Sequence, residues 1–359
     1  MCVYLMGLLA RSQRTLLRMG RDSWLVVVIY VVGIYGLIFT WPVDTCAWGP
    51  AVRRGGKECG MGGKESGRET VTIDGHRLQL SSLDKVMYPE TGFTKRDVFD
   101  YYRAVAEVLL PQLRDRVVTQ IRYPDGIGGE RFYQKNVSPW TPKWIRRFAI
   151  SASPGSKKPA KTVRYPVIDD LAGLLWFANQ GSLELHTPQW RVGPRGGIRN
   201  PDRLVIDLDP GEGVGLDACA AVAHMIRARL AEDDLTAWPV TSGGKGIHLY
   251  AAVNGRRTAR AVHGYVQNLA RELAARNPDQ VVAVQDKSKR VGKVMIDWSQ
   301  NHPARSTATP YTLRGKPSPT VAAPREWDEI AEGLRQLTPQ DVVARLERDG
   351  DLMERHGLR

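Results

Sequence analysis

In the stretch RLVIDLDPGEG, residues 203–213, two carboxylates, Asp207 and Asp209, stand one residue apart at the end of an apolar run. Successive side chains of a β-strand point to opposite faces, so these two converge while Leu208 points away. Like charges that close raise each other's pKa unless a cation or a shared proton relieves them, and hard divalent ions take oxygen ligands of this kind. The spacing suits a metal site. An isolated Asp-x-Asp also fits a solvated strand end, with Asp209 capping the turn at Pro210. A third acid, Asp297, follows another apolar strand start in VMIDWSQ and can join the same cluster.

Anion chemistry is written into VTSGGKGIHLY, residues 240–250. Gly243, Gly244 and Gly246 let backbone N–H groups approach an anion, Lys245 adds a point charge, and Ser242 and His248 add side-chain contacts. A Walker A loop is excluded, because the spacing fails and a glycine follows the lysine where Ser or Thr should stand. The alternative is a plain hairpin with a solvated lysine. His186 in LELHTPQW fits a satisfied core histidine as well as a ligand contact. Arg290 and Arg314 lie in basic runs that suit a solvated face. Phe132 and Tyr133, between Arg131 and Lys135, are adjacent aromatics of the kind that stack bases while cations track phosphates; core packing of one ring is the plainer reading.

These residues need strands and tight turns to hold them. VTIDGHRLQLS reads as a hairpin about Asp74-Gly75. Thr94 with Asp97 resembles a capping box, and Val98, Tyr101, Tyr102, Val105, Val108 and Leu109 recur at helical spacing before Pro111. Strand-like RVVTQIRYP and RFYQKN follow, then a Ser, Pro and Lys-rich loop over residues 151–162. In the second half RLVIDLD, AWPVTS, GIHLYAAV and KVMIDWS read as strands, and residues 215–231 and 257–275 as helices. Interleaved strands and helices make a mixed sheet covered by helices.

The first seventy residues read differently. WLVVVIYVVGIYGLIFTWPV, an uncharged run with its apolar segment at 24–43, has the length of a bilayer span. Basic residues on both sides of it leave its orientation open, and it is long for a signal peptide with no small-residue cleavage site after it. The favoured reading is a poorly ordered or spurious extension over 1–70 ahead of one domain at 71–359, with Met61 opening a short polar tail and membrane anchoring disfavoured. The 51 basic and 38 acidic residues give a net charge of +13, which favours a polyanionic partner. With four cysteines, of which only Cys219 lies in the body, neither a disulfide framework nor a Cys-x-x-Cys zinc pair is available, and a reducing cytoplasm fits.

DLDPGEG, VTSGGKGIHLY and IDWSQN, together with DKVMYP, TGFTKRDVFDYY, LELHTPQW, PYTLRGKPSPTVAAPR and DGDLMER, resemble the polymerase domain of bacterial DNA ligase D, a branch of the archaeo-eukaryotic primase superfamily. The likeness runs from about residue 72 to 355. It implies a primase-polymerase fold of mixed α+β and α/β character, a mixed β-sheet catalytic core flanked by helices. By this resemblance Asp207, Asp209 and Asp297 are the metal-binding catalytic carboxylates, holding two divalent ions, Mn²⁺ or Mg²⁺. His186, Ser242, Lys245, His248, Arg290, Gln300 and Arg314 fall where relatives contact the incoming NTP or dNTP, with ribonucleotides preferred. Phe132 and Tyr133 match an aromatic pair that stacks on a base, with tyrosine where phenylalanine is usual. Lys85 and Lys95 match lysines that hold a 5′-phosphate at a gap or broken end.

Two departures stand out: Ser82 replaces an asparagine of the phosphate pocket, and Ile121 replaces a lysine near the nucleotide, with Arg122 beside it. No KxDG ligase motif or nuclease-like module occurs in these residues, so the likeness is to a stand-alone relative. The implied activity is template-directed nucleotidyl transfer that fills gaps or extends ends in non-homologous end joining. Short-patch excision repair by the same polymerase and a non-catalytic DNA-end-binding module are the alternatives. Implied partners are DNA with gaps or 5′-phosphorylated ends, Ku and a separate DNA ligase, in a cytoplasmic, nucleoid-associated setting.

Overall fold

The structure, a computed structural model, describes residues 68–151 and 161–358. The apolar segment 24–43 and nearly all of the expected extension over 1–70 lie outside the described residues; Glu69 and Thr70, at its end, pair with Leu80 and Gln79. Among the described residues no helix is long and apolar enough to cross a membrane.

The chain opens with a hairpin of β1 (Arg68–Ile73) and β2 (His76–Ser81). Asp74 and Gly75 both take positive φ, 49° and 77°, the backbone that a two-residue hairpin turn demands. A small ribbon, β3 (Val86–Tyr88) with β4 (Phe93–Thr94), leads into α1 (Lys95–Ala104), whose capping box is formed by Thr94 and Asp97. The expected single helix to Pro111 breaks at Val105, and the run continues as α2 (Ala106–Leu113) with Pro111 inside it. Its apolar face explains the continuation: Val105, Leu109 and Leu113 are all fully buried.

Next come β5 (Thr119–Arg122), β6 (Phe132–Gln134), β7 (Arg147–Ser151), β8 (Thr162–Pro166), α3 (Leu171–Asn179) and β9 (Ser182–Thr187). The loop expected over 151–162 is shorter at its edges, because Ser151 and Thr162 pair across the β7/β8 hairpin; residues 152–160 lie outside the described ones. The second half holds β10 (Arg203–Pro210), α4 (Leu216–Ala231), β11 (Ala237–Thr241), β12 (Ile247–Ala252), α5 (Ala259–Arg276), β13 (Val281–Val282) and β14 (Val294–Asp297). Short strands β15 (Thr307–Ala308), β16 (Leu313–Arg314), β17 (Thr320–Val321) and β18 (Ala323–Pro324) precede α6 (Pro339–Asp349) and α7 (Leu352–Arg355).

Two sheets carry the site. The larger runs β13-β14-β10-β12-β11-β18, with the β13/β14 pair parallel and the rest antiparallel, so it is mixed as expected. The smaller runs β15-β9-β5-β6 and is antiparallel throughout. Period-two alternation on β10 sorts the large sheet's faces. Leu204, Ile206 and Leu208 pack with Ile226 of α4 and Val266 of α5, whereas Val205 on the other face joins a second core with Leu183 and Leu185 of β9. Asp207 and Asp209 share the face of Val205, so the acids emerge toward the smaller sheet. Tyr250 Oη to the Ala308 carbonyl (3.2 Å) and Arg203 Nη2 to Thr187 Oγ1 (3.1 Å) tie the sheets together beneath them.

Candidate active site

The antiparallel register places Asp207 directly opposite Asp297 on one side and His248 on the other. Directly paired residues share a face, so Asp297, Asp207 and His248 form one row across β14, β10 and β12. Leu208 is fully buried beneath it. Gln300 Nε2 bridges the two acids, donating to Asp207 Oδ2 at 3.3 Å and to Asp297 Oδ2 at 3.1 Å. Asn301 fixes this turn, its side-chain amide bonding Val205 N–H at 2.9 Å and Val205 O at 2.6 Å where the strand pairing of β14 has ended.

Burial, then the charges of Asp209 and Asp297, push the Asp207 carboxyl well above the ordinary carboxylate range. Burial, then Asp297, raise Asp209 too, against the pull of Arg290, Arg314 and Lys316. Crowded acids of this kind are relieved by a bound cation, so the donor set fits hard divalent ions. As they stand, no three His, Cys, Asp or Glu side chains among the described residues close on one ligating point. The Gln300 amide, a neutral donor, sits between two of them instead.

His248 Nε2 lies 3.4 Å from Asp207 Oδ1. Burial, then the charges of Arg314 and His186, hold its imidazole down to about 3, so the ring is neutral near pH 7, and its buried Nδ1 has no partner among the described residues.

The glycine turn sits at the end of this row. A Cβ on Gly246 would collide with the Leu208 carbonyl, and one on Gly243 (φ +64°) with Val321 and Arg314. Small residues therefore let the loop lie against β10. The free N–H cradle expected from sequence is modified: Ser242 Oγ accepts from Gly244 N–H (3.1 Å) and Gly246 N–H (3.3 Å), and Gln336 Oε1 from Gly243 N–H (2.7 Å). Ser242 shapes the loop, while Lys245 is exposed at its tip.

The smaller sheet brings the opposite wall. His186 Nε2 and Arg314 Nε both donate to Glu184 Oε2 at 2.9 Å, and Arg314 Nη1 donates to the Ser242 carbonyl. One hydrogen-bonded chain thus runs from His186 to the glycine turn. Arg290 leans on Gln285, whose amide reaches Asp297 Oδ1 at 3.0 Å. Lys316 also stands here, its amine pulled down by burial and by the charges of Arg314, Lys245 and Arg131.

Phe132 and Tyr133 are exposed, but as neighbours on β6 they face opposite sides. Tyr133 pairs with Ile121, and Ile121 with Glu184, so Tyr133 is on the cleft side, while Phe132 pairs with Arg122, where the β5/β9 register shifts. Lys85 and Lys95 come together at the start of α1, where Lys95 N–H bonds the Lys85 carbonyl at 2.8 Å. Lys95 Nζ is buried on the Ser81 carbonyl at 2.6 Å, while Lys85 Nζ reaches Asp125 at 3.2 Å. Ser82, whose carbonyl accepts from Lys85 N–H at 3.0 Å, adopts φ +52°, a left-handed backbone that asparagine takes more readily than serine.

Sequence reasoning missed Glu184, Tyr123, Lys316 and Gln285. A lone Glu two residues before His186 gives no motif signal, though its placement on the same strand face was available from alternation.

The chain matches the family described as "LigD, primase-polymerase domain" over residues 94–353. It is 44% identical to the multifunctional non-homologous end joining protein LigD of Mycolicibacterium smegmatis, over 77% of this chain and 36% of that protein. It is 31% identical to the bifunctional LigD protein of Bacillus subtilis, over 76% of this chain and 43% of that one. It spans well under half the length of these curated relatives. Among solved structures, the polymerase domain from Mycobacterium tuberculosis ligase D in complex with DNA is similar at 43% identity and a TM-score of 0.73, covering 78% of this chain and 97% of that one. With the matched residues enclosing the acid row, the glycine turn and the Glu184 wall, the chain belongs to the LigD primase-polymerase domain family.

Proposed function

We propose that the protein is a DNA-directed nucleotidyltransferase that adds nucleotides to a primer 3′-end at gaps or broken ends bearing a 5′-phosphate. The observation that carries this reading is the register of Asp207 against Asp297 and His248, bordered by Lys245, Arg290, Arg314 and Lys316. Asp207, Asp209 and Asp297 would hold divalent ions, Mn²⁺ or Mg²⁺, which when bound lower the pKa of a 3′-hydroxyl and steady departing pyrophosphate. The basic side chains neutralise a triphosphate, and neutral His248 offers a hydrogen bond without adding charge. Catalysis of this kind is mainly positioning and charge stabilisation. Tyr133 stacks a base, and Lys85 with Lys95 receives the 5′-phosphate of the downstream strand.

The biological role we assign is non-homologous end joining with Ku and a separate DNA ligase, on the strength of what the relatives are named for. The residues of this reading all lie from Lys64 onward, so a chain begun at Met61 should keep the activity.

Primer extension on a one-nucleotide gap, with Mn²⁺ or Mg²⁺ and with NTP or dNTP, tests the reading. Asp207→Ala and Asp209→Ala should each abolish extension while DNA binding persists. Extension retained by either variant sinks it.

A further inference from the structure

We propose that Glu184 is a positioning residue of the nucleotide site, one that touches no reactant and fixes the two side chains that do, His186 and Arg314. The inference deepens the nucleotide-site reading given above and rests on it.

Glu184 is 4% exposed, and a buried carboxylate survives only if its lone pairs are satisfied. Four donors meet it. Oε2 accepts from His186 Nε2 and Arg314 Nε, both at 2.9 Å, and Oε1 accepts from Gly315 N–H at 3.0 Å and Tyr123 Oη at 3.3 Å. Burial alone would raise this carboxyl, yet the bonds from His186, Arg314 and Gly315 outweigh it and hold the group well below the usual range. Leu183 and Leu185, on the opposite face of β9, belong to the apolar core.

The bonds converge on the Arg314-Gly315 dipeptide. Arg314 spends Nε on Glu184 and Nη1 on the Ser242 carbonyl, and its own carbonyl accepts from Tyr88 Oη at 2.9 Å. Among the described residues Nη2 is left without a partner, so the guanidinium is locked in orientation with the Nη2 amino group to spare. Gly315 must lack a side chain because the Tyr123 ring stands where a Cβ would go. A planar guanidinium held by a fork on one side is pre-organised for an anion on the other.

Two variants of the full chain separate position from charge. Glu184→Gln keeps the shape, removes the charge and turns an amide NH₂ toward two of the four donors; Glu184→Asp keeps the charge and withdraws the oxygens by one methylene. If Glu184 positions, both weaken binding of inorganic tripolyphosphate and raise the nucleotide KM by about tenfold or more, with kcat changed far less. In an Arg314→Ala background the Gln substitution then adds little, because partners in one network do not act additively. A role in charge balance alone predicts tighter polyanion binding by the Gln variant and an Asp variant like the wild type. A role in folding alone predicts a lower unfolding temperature with KM unmoved. Either result overturns the proposal. Should an Asp or Gln variant not fold, Tyr123→Phe removes the hydroxyl's bonds with Glu184 and Arg131 and leaves the carboxylate in place, and should raise KM about two- to fivefold; an unchanged KM there counts against it.

The two readings fail differently. Tripolyphosphate binding that depends on Glu184 in a chain unable to extend primers defeats the polymerase reading and leaves this inference standing. Extension with unchanged KM and tripolyphosphate affinity in all the variants does the reverse. A wild-type chain that binds no tripolyphosphate overturns the inference outright.

Discussion

Asp207 lies directly across the antiparallel ladder from Asp297, and the Gln300 amide spans the two at 3.3 and 3.1 Å. A neutral donor compensates two neighbouring carboxylates only in part, and burial, then the charges of Asp209 and Asp297, keep the Asp207 carboxyl raised. Cation binding should therefore stabilise the folded chain by mass action, about 2.7 kcal/mol at a hundredfold excess over Kd. Thermal unfolding in chelator against Mn²⁺ should show an upward shift of about 5 °C or more. Asp207→Asn should unfold at a higher temperature than wild type in chelator and lose the shift. An equal shift in that variant would mean the ion binds elsewhere.

Gly246 is forced to be glycine by the Leu208 carbonyl, whereas Gly264, within α5, has open space around its missing Cβ. Gly246→Ala should displace the turn from the end of β10, destabilise by about 1–3 kcal/mol and depress primer extension. Gly264→Ala should stabilise by about 0.5–1 kcal/mol through helix propensity and leave extension unchanged. Unfolding midpoints and extension rates of the two variants, side by side, test the assignment. A Gly246 variant with wild-type values refutes it.

What was legible in the sequence followed from strictly local rules. Alternation put Asp207 and Asp209 on one face, the Thr94 and Asp97 spacing gave the α1 cap, and Asp-Gly gave the first turn. Partnerships across the chain were not legible. Glu184 bonds Arg314 across 130 positions, and Tyr102 bonds Thr312 across 210, contacts that only folding creates.

Lys95 supplies a pH signature of two opposite signs. Burial, then the charge of Lys85, pushes its amine down to about 8 from 10.5, so between those values the unfolded chain binds more protons here than the folded one. Stability from this group is accordingly lowest below pH 8 and rises as pH climbs through the window. Phosphate recognition runs the other way, because only the charged amine attracts the dianion. The preference for a 5′-phosphorylated over an unphosphorylated gap should be full at pH 7 and fall above pH 8. Fluorescence anisotropy across pH 7 to 9.5 reads it, and the double Lys85→Ala, Lys95→Ala variant should show no preference at any pH. A preference constant across that range would remove Lys95 from the pocket.

Tyr133 and Phe132 should separate cleanly on substitution, because register puts only Tyr133 on the face of Ile121 and Glu184. Tyr133 is 55% exposed and Phe132 42%, so neither ring is needed to fill the core and both can be removed without opening a cavity. Base stacking on an aromatic ring is worth about 1–3 kcal/mol, which corresponds to a loss of roughly 5- to 150-fold in incorporation efficiency for Tyr133→Ala. Phe132→Ala lies outside the cleft and should leave single-nucleotide incorporation within about twofold of wild type, consistent with a surface change of under 0.5 kcal/mol. Tyr133→Phe keeps the ring and should restore most of the loss, which distinguishes stacking from a hydroxyl contact. Incorporation efficiencies on one gapped substrate decide among these, and an equal loss from the two alanine variants would mean that the β6 edge twists enough for both rings to enter the cleft.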